Sequence, residues 1–312
     1  MEKGSKIFIT VGLAVVCFLV YWLALPTLSL NYYGGYIFVS FCIICLAIIV
    51  GVWVCDGEYF GRISLITFGV VVLSFIGFRI YSSALFQSTT MYSQIGEFTE
   101  KSFTEDVLEL DTSQIPVVDI KYAEKLADKK LGENASLGSQ MKVGEFTNKQ
   151  QINGKLYYVA PLEYRGFFKW LNARSTPGYV KVSATNPNDV TLVTQLEGKD
   201  LHLRYVNSGR FGDDLKRHIR FSGYVAKGLT EYSFELDDSG YPYWVVTTYE
   251  NRLFCHCGEA NGVVICDPQT GSCKWYSVDD TPEWVDIIQP ENFVKEQLAN
   301  YGSLVHGPFN FS

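Results

Sequence analysis

The sequence predicts an α+β protein: an N-terminal three-helix transmembrane anchor followed by an aqueous domain of two small α+β modules. Three observations lead there. No Asp, Glu, Lys or Arg occurs from Ile7 to Val54. Charged residues return at ordinary aqueous density beyond Glu97. In that later part, short β-prone runs broken by Gly, Pro, Asn and Asp alternate with two stretches of helical spacing.

The anchor comes first, over residues 1–87. Its apolar runs are Ile7 to Leu25, Tyr36 to Val54 and Ile63 to Phe86, the last interrupted only by Arg79. Each is close to the roughly 20 residues that cross a hydrocarbon core. Tyr21, Trp22, Tyr32, Tyr33, Tyr36, Trp53, Tyr59 and Tyr81 stand at the span ends, where aromatic rings settle among headgroups. Arg79 reaches the interface with its stem in the apolar layer. A cleaved signal peptide is the competing reading of the first run. That run is longer than a signal core, and Leu25-Pro26-Thr27 is a poor cleavage site. The lipid bilayer is therefore an expected partner, and the expected location is a plasma membrane crossed several times. Lys3, Lys6 and Arg62 place the N-terminus and the second loop inside, so the C-terminal domain is expected outside. No acid or His lies within a run, so no proton or ion path is marked. Cys17, Cys42 and Cys45 read as small apolar fillers.

Residues 88–114 read as a partly helical stalk. A first module is expected over 115–205. Asp119 caps a helix through Leu131, and Gly132 is expected to end it in the left-handed conformation. Gln140 to Phe146, Lys155 to Pro161 and Gly178 to Ser183 read as strands, with Asn153-Gly154 as a hairpin turn. Leu162 to Arg174 is amphipathic and aromatic. It packs in the core or meets a membrane or partner.

The second module is expected over 206–312. Phe234 to Leu236, Tyr243 to Thr248, Gly262 to Cys266 and Lys274 to Val278 read as strands. Asp267-Pro268-Gln269-Thr270-Gly271 is a turn, and Glu291 to Tyr301 has helical spacing. The strand, the Asp-Pro-Gln-Thr-Gly turn and the return strand resemble PepSY modules. So does the helix from Asp119 to Leu131 followed by Asn153-Gly154-Lys155-Leu156-Tyr157-Tyr158. PepSY modules are small extracytoplasmic domains with a helix packed on a hairpin, thought to inhibit or regulate partners. Ala160-Pro161-Leu162-Glu163, Thr176-Pro177-Gly178-Tyr179-Val180, Gly240-Tyr241-Pro242-Tyr243-Trp244-Val245 and Pro282-Glu283-Trp284-Val285-Asp286 also resemble a family of multi-span membrane proteins of Gram-positive bacteria. That resemblance covers most of 115–312 and implies location and fold, with no activity. The resembling proteins continue for a further large segment, and the resemblance therefore implies a short member or a fragment as the expectation.

The net charge of −7 carries no basic cluster, which argues against nucleic acid as a partner. Lys216-Arg217-His218-Ile219-Arg220 reads as a solvated turn or strand edge. Four cysteines lie beyond the anchor: Cys255, Cys257, Cys266 and Cys273. Cys255 and Cys257 share a strand face, and Cys266 and Cys273 flank the Asp267 turn. All four are expected at one end of a sheet. Two disulfides are the leading reading. A zinc site, with His256 nearby, is the alternative, and unpaired buried thiols are a third. His202, His218, His256 and His306 are scattered, and no nucleophile elbow or P-loop is present. Glu235, Asp237 and Asp238 lack calcium-loop spacing and read as solvated turn acids. The expected function is accordingly a non-catalytic binding, assembly or regulatory protein of the cell envelope. Phe167, Phe168, Trp170, Tyr241, Tyr243 and Trp244 are its candidate interaction residues, toward a protein partner or a second copy. An envelope enzyme or metal protein using the cysteines, or a subunit of a channel or transport complex, are the alternatives.

Overall fold

The computed structural model describes residues 2–54, 59–96, 115–145 and 149–310. Three N-terminal helices are long and apolar enough to cross a membrane: α1 (Lys3–Ala24), α2 (Tyr33–Val54) and α3 (Phe60–Tyr81). The Tyr36 hydroxyl joins α2 to α3, donating to the Val71 carbonyl at 2.8 Å and lying 2.7 Å from Ser74 Oγ. α1 ends where Leu25 turns left-handed and Pro26 follows.

The third apolar run is expected to continue to Phe86, but α3 stops at Tyr81 and a separate helix α4 (Ala84–Tyr92) follows. The cause is tertiary. Buried Ser82 turns its hydroxyl to the Phe254 N–H and its carbonyl to His256 Nε2, at 3.2 and 2.7 Å. Helix α4 and a short 3₁₀ turn to Ile95 occupy the start of the expected stalk. The rest of it, 97–114, lies outside the described residues.

Helix α5 (Ile120–Gly132) opens on Asp119, whose carboxylate accepts the Tyr122 N–H at 2.8 Å. Gly132 is not its left-handed cap. The helix runs through it to Glu133, which stays right-handed, and Asn134 caps the next helical turn, Ala135–Gly138. Ala123, Ala127 and Leu131 form the buried face of α5.

The first sheet holds β1 (Met141–Val143), β2 (Lys149–Ile152), β3 (Lys155–Tyr164), β4 (Tyr179–Ser183) and β5 (Val190–Val193). Its order is β1-β3-β4-β5, and β2 pairs with the first half of the same edge of β3. Asn153 and Gly154, both at positive φ, make the β2–β3 turn as expected. Helix α6 (Phe167–Ala173) follows β3. A ribbon of β6 (Gln195–Leu196) and β7 (Lys199–Asp200) leads to α7 (Leu215–Phe221). The basic run is thus a helix rather than a turn or strand edge. Asp214 caps it, and Arg220 is buried with Leu215 and Ile219.

The second sheet is the antiparallel meander β8 (Gly228–Leu236), β9 (Pro242–Leu253), β10 (His256–Cys266) and β11 (Cys273–Ser277), and α8 (Glu291–Leu304) closes the chain. The two sheets share one core cluster, running from Val118 through Trp170, Val180, Leu203 and Phe234 to Cys266. Buried Gln150 staples them: its amide donates to the Leu236 carbonyl at 2.6 Å and accepts the Leu236 N–H at 2.8 Å, as a strand would. Such full pairing is what makes a buried amide tolerable.

The C-terminal part of the chain is docked on the three apolar helices. At the β9–β10 tip, Phe254 packs among Tyr36, Phe75 and Phe78, with ring centroids 5.2 to 5.7 Å apart. The α1–α2 loop joins it: the Tyr32 hydroxyl donates to the Tyr249 carbonyl at 2.7 Å, and the Asn251 amide donates to the Asn31 carbonyl at 2.7 Å. A second contact comes from α7. Arg217 stacks 4.5 Å from the Trp22 ring, and Phe221 packs on Tyr21 and Trp22.

Candidate thiol site

The β10–β11 hairpin is built by its turn. Asp267 Oδ1 accepts the backbone N–H groups of Gln269 and Thr270, and Oδ2 accepts the Thr270 hydroxyl at 2.7 Å. The Asp267 carbonyl accepts the Gly271 N–H, and the Asp267 N–H reaches the Ser272 carbonyl, both at 2.9 Å. Gly271 has φ +79°, and a Cβ there would meet the Tyr205 ring at 2.5 Å and His218 Nε2 at 2.8 Å. Glycine is therefore required by both backbone and space.

This turn puts Cys266 and Cys273 directly opposite each other. Their sulfurs are 2.9 Å apart. Helix α7 brings the third group. Its buried Leu215 and Ile219 fix which side faces the sheet, and that side carries His218. The imidazole stacks on Tyr205 at 3.8 Å, and its Nε2 lies 2.7 Å from the Gly271 carbonyl. A ring nitrogen of His218 and the sulfurs of Cys266 and Cys273 all lie within 4.8 Å of one another. Cys266 is fully buried, while Cys273 and His218 are half-buried, so the group opens to one side.

The electrostatics separate the two thiols. The hydrogen bond with Cys273 and burial keep Cys266 protonated, pushing its pKa up. The Cys266 hydrogen bond, with His218 and Ser222, outweighs burial at Cys273 and holds that thiol well below its ordinary value. Burial works against the charged form of His218, yet Cys273 and the Gly271 carbonyl raise its pKa overall. A half-buried thiolate beside an imidazolium is a nucleophile and a soft ligand.

The other two cysteines are elsewhere. Cys255 and Cys257 sit at the opposite end of β10, about 30 Å away for nine residues of strand. The expectation that all four converge is therefore wrong: the register sends each pair to its own end. Among the described residues no S–S bond joins any cysteines, so the expected disulfides are not supported. Cys255, in the β9–β10 turn, and Cys257, at the start of β10, are both buried, with φ +61° and +57°. A second His–Cys group forms here, His256, Cys257 and Glu296. Its histidine is occupied on both sides, with Nδ1 3.2 Å from Cys257 Sγ and Nε2 2.7 Å from the Ser82 carbonyl. Glu296 accepts the Cys257 N–H at 3.3 Å. It is a clamp between α3, β10 and α8.

The candidate interaction residues divide. Phe167 and Phe168 are exposed, and Tyr241 and Tyr243 are half-buried in an aromatic strip with Trp284. Trp170 and Trp244 are core residues, each 2% exposed, and are removed from the surface set. Trp170 Nε1 donates to Asp213 Oδ2 at 3.2 Å, and Asp213 also pairs with Arg174 and Arg204. Trp244 Nε1 donates to the Tyr205 carbonyl at 2.9 Å. Glu235 is also buried, bound by the Ser233 hydroxyl and the Asp286 N–H, so it is no solvated turn acid. Asp237 is a turn acid, accepting the Ser239 and Tyr241 N–H groups. His202 and His306 are exposed and join neither His–Cys group. The sequence hint missed for His218 is its place in the Asp214-capped helix, three residues after Leu215 and one before Ile219. No family model, no curated protein and no solved structure matches this chain.

Proposed function

We propose that this chain is a membrane-anchored binding or assembly protein of the cell envelope, without catalytic activity, working at the outer face of a plasma membrane. One observation carries the reading. The aqueous domain is seated on the span ends at two separate places, the β9–β10 tip and α7, so its exposed surfaces keep a fixed attitude to the bilayer. The α1–α2 loop lies on the same side as this domain, opposite Lys3 and Lys6. With positive charge inside, the domain falls outside.

Two surfaces then have distinct partners. Phe167 and Phe211 line a groove of about 380 Å³ with Trp22 and Leu23 at the end of α1, and Phe168 stands 75% exposed beside it. That is the depth at which aromatic rings meet lipid headgroups. The Tyr241–Tyr243–Trp284 strip takes a protein partner or a second copy, since such rings are enriched at interface cores. Helix α5 laid on β1, β4 and β5 of the first sheet supports the PepSY-like reading of the first module, whereas α8 packs mainly on α4 and meets the second sheet at β10.

A photo-crosslinking residue in place of Tyr243, in living cells, gives a higher-mass adduct if the reading holds. A protein that stays monomeric and uncrosslinked overturns it. An Asp238→Cys variant carrying Cys273→Ser reacts with a membrane-impermeant maleimide added to intact cells, and labelling only after lysis reverses the sidedness.

A further inference from the structure

We propose that His218, Cys266 and Cys273 form a zinc site with one position left open. The proposal is independent of the binding role and rests on the convergence of three elements. β10 supplies Cys266, β11 supplies Cys273 and α7 supplies His218, with all three ligand atoms inside 4.8 Å. Two thiolates and one imidazole are a donor set that suits zinc, and three protein ligands leave the fourth tetrahedral place to water or a ligand.

The surroundings are those of a ligand histidine. The Gly271 carbonyl holds Nε2 and Tyr205 stacks on the ring, so the imidazole is oriented before any metal arrives. Gly271 has room for no side chain, which keeps that carbonyl and the ring in contact. The turn is pinned from behind, because the Pro268 carbonyl accepts the Arg204 and Tyr205 N–H groups at 2.8 and 3.0 Å. The two sulfurs stand 2.9 Å apart. Zinc takes the place of the thiol protons and spreads the sulfurs to about 3.8 Å, as Zn–S bonds of about 2.3 Å require in a tetrahedron. Side-chain rotation of the half-buried Cys273 supplies the movement. The half-buried side of the group leaves entry for the ion and space for the fourth ligand.

The His256–Cys257–Glu296 group has a similar composition and serves as the internal control. It offers one sulfur instead of two, and its carboxylate is held by the Cys257 N–H.

The test uses the full chain in detergent, reduced with a phosphine under nitrogen and titrated with zinc against a chromophoric chelator. One equivalent binds. Cobalt(II) in its place gives sulfur-to-metal charge transfer and tetrahedral d–d bands. Cys266→Ser and Cys273→Ser abolish both signals, and His218→Gln weakens zinc at least about tenfold. Cys257→Ser leaves affinity unchanged. X-ray absorption at the zinc edge of the wild-type protein shows two sulfur neighbours and one histidine nitrogen, a reading independent of any variant's folding. Failure of the reduced protein to bind zinc overturns the proposal. So does uptake that survives Cys266→Ser, or recovery of a Cys266–Cys273 disulfide from cells lysed into a thiol-blocking reagent.

Discussion

β10 carries a His–Cys group at each end, and the neighbours of each group set its chemistry. At the anchor end, His256 bridges Cys257 and the Ser82 carbonyl, and burial pushes the Cys257 thiol up to about 11. Burial raises Cys255 as well. At the turn end, His218 arrives from a different element, and Cys273 gains a thiol donor and an imidazole that hold its pKa down. The same residue types give thiols with raised pKa in one place and one with a lowered pKa in the other. The difference lies in which groups can hydrogen-bond to the sulfur, since burial opposes the thiolate at both ends.

The comparison breaks first at the anchor end. Phe254→Ala removes a ring held by Tyr36, Phe75 and Phe78 and costs about 3 kcal/mol, given its partial burial. Thermal unfolding in detergent measures the loss. Zinc affinity at the other end stays unchanged, and a parallel fall would mean that the two ends are coupled.

Alkylation sharpens the contrast. The folded pKa of Cys273 lies below its unfolded value, so its thiolate persists as pH falls from the ordinary thiol range down to the folded value. That of Cys257 lies above, so its thiolate appears only at alkaline pH. In reduced, metal-free protein at pH 7, iodoacetamide modifies Cys273 at least about a hundredfold faster than Cys257, by peptide mass spectrometry. Equal rates would erase the distinction.

Gly271→Ala strikes the turn end alone. A Cβ at φ +79° collides with Tyr205 and His218, for about 2 kcal/mol by chemical denaturation. The fast alkylation of Cys273 is lost with it, while the Phe254 docking survives. Asp267→Ala is the mildest change, about 1 kcal/mol for the lost turn acceptors. Asp267→Asn, which keeps an acceptor oxygen, restores most of it.

Local signals carried much of the fold. The three spans follow from charge-free runs, the β2–β3 turn from Asn153-Gly154, and the β10–β11 turn from Asp267 to Gly271, because each depends on neighbours in sequence. Long-range contacts decided the rest. α3 ends early because Ser82 bonds to the distant β9–β10 tip, and Gly132 stays helical because Asn134 starts another turn at once. Trp170 and Trp244 read as surface aromatics until Asp213 and the Tyr205 carbonyl supply buried partners for their indoles. The cysteines read as one cluster because their spacing along the chain is visible, whereas the length of β10 that separates them is not. His218 lies 48 residues before Cys266, and only the packing of α7 unites them.

That short helix has a consequence of its own. Arg217 lies against the Trp22 indole while its neighbour His218 lies against the thiols, so two consecutive residues of α7 link a fluorophore of α1 to the candidate metal site. Trp22 is therefore a built-in optical gauge. The emission difference between the wild-type protein and Trp22→Phe reads any tilt of α7, reporting events at the sulfurs through light emitted at the membrane surface.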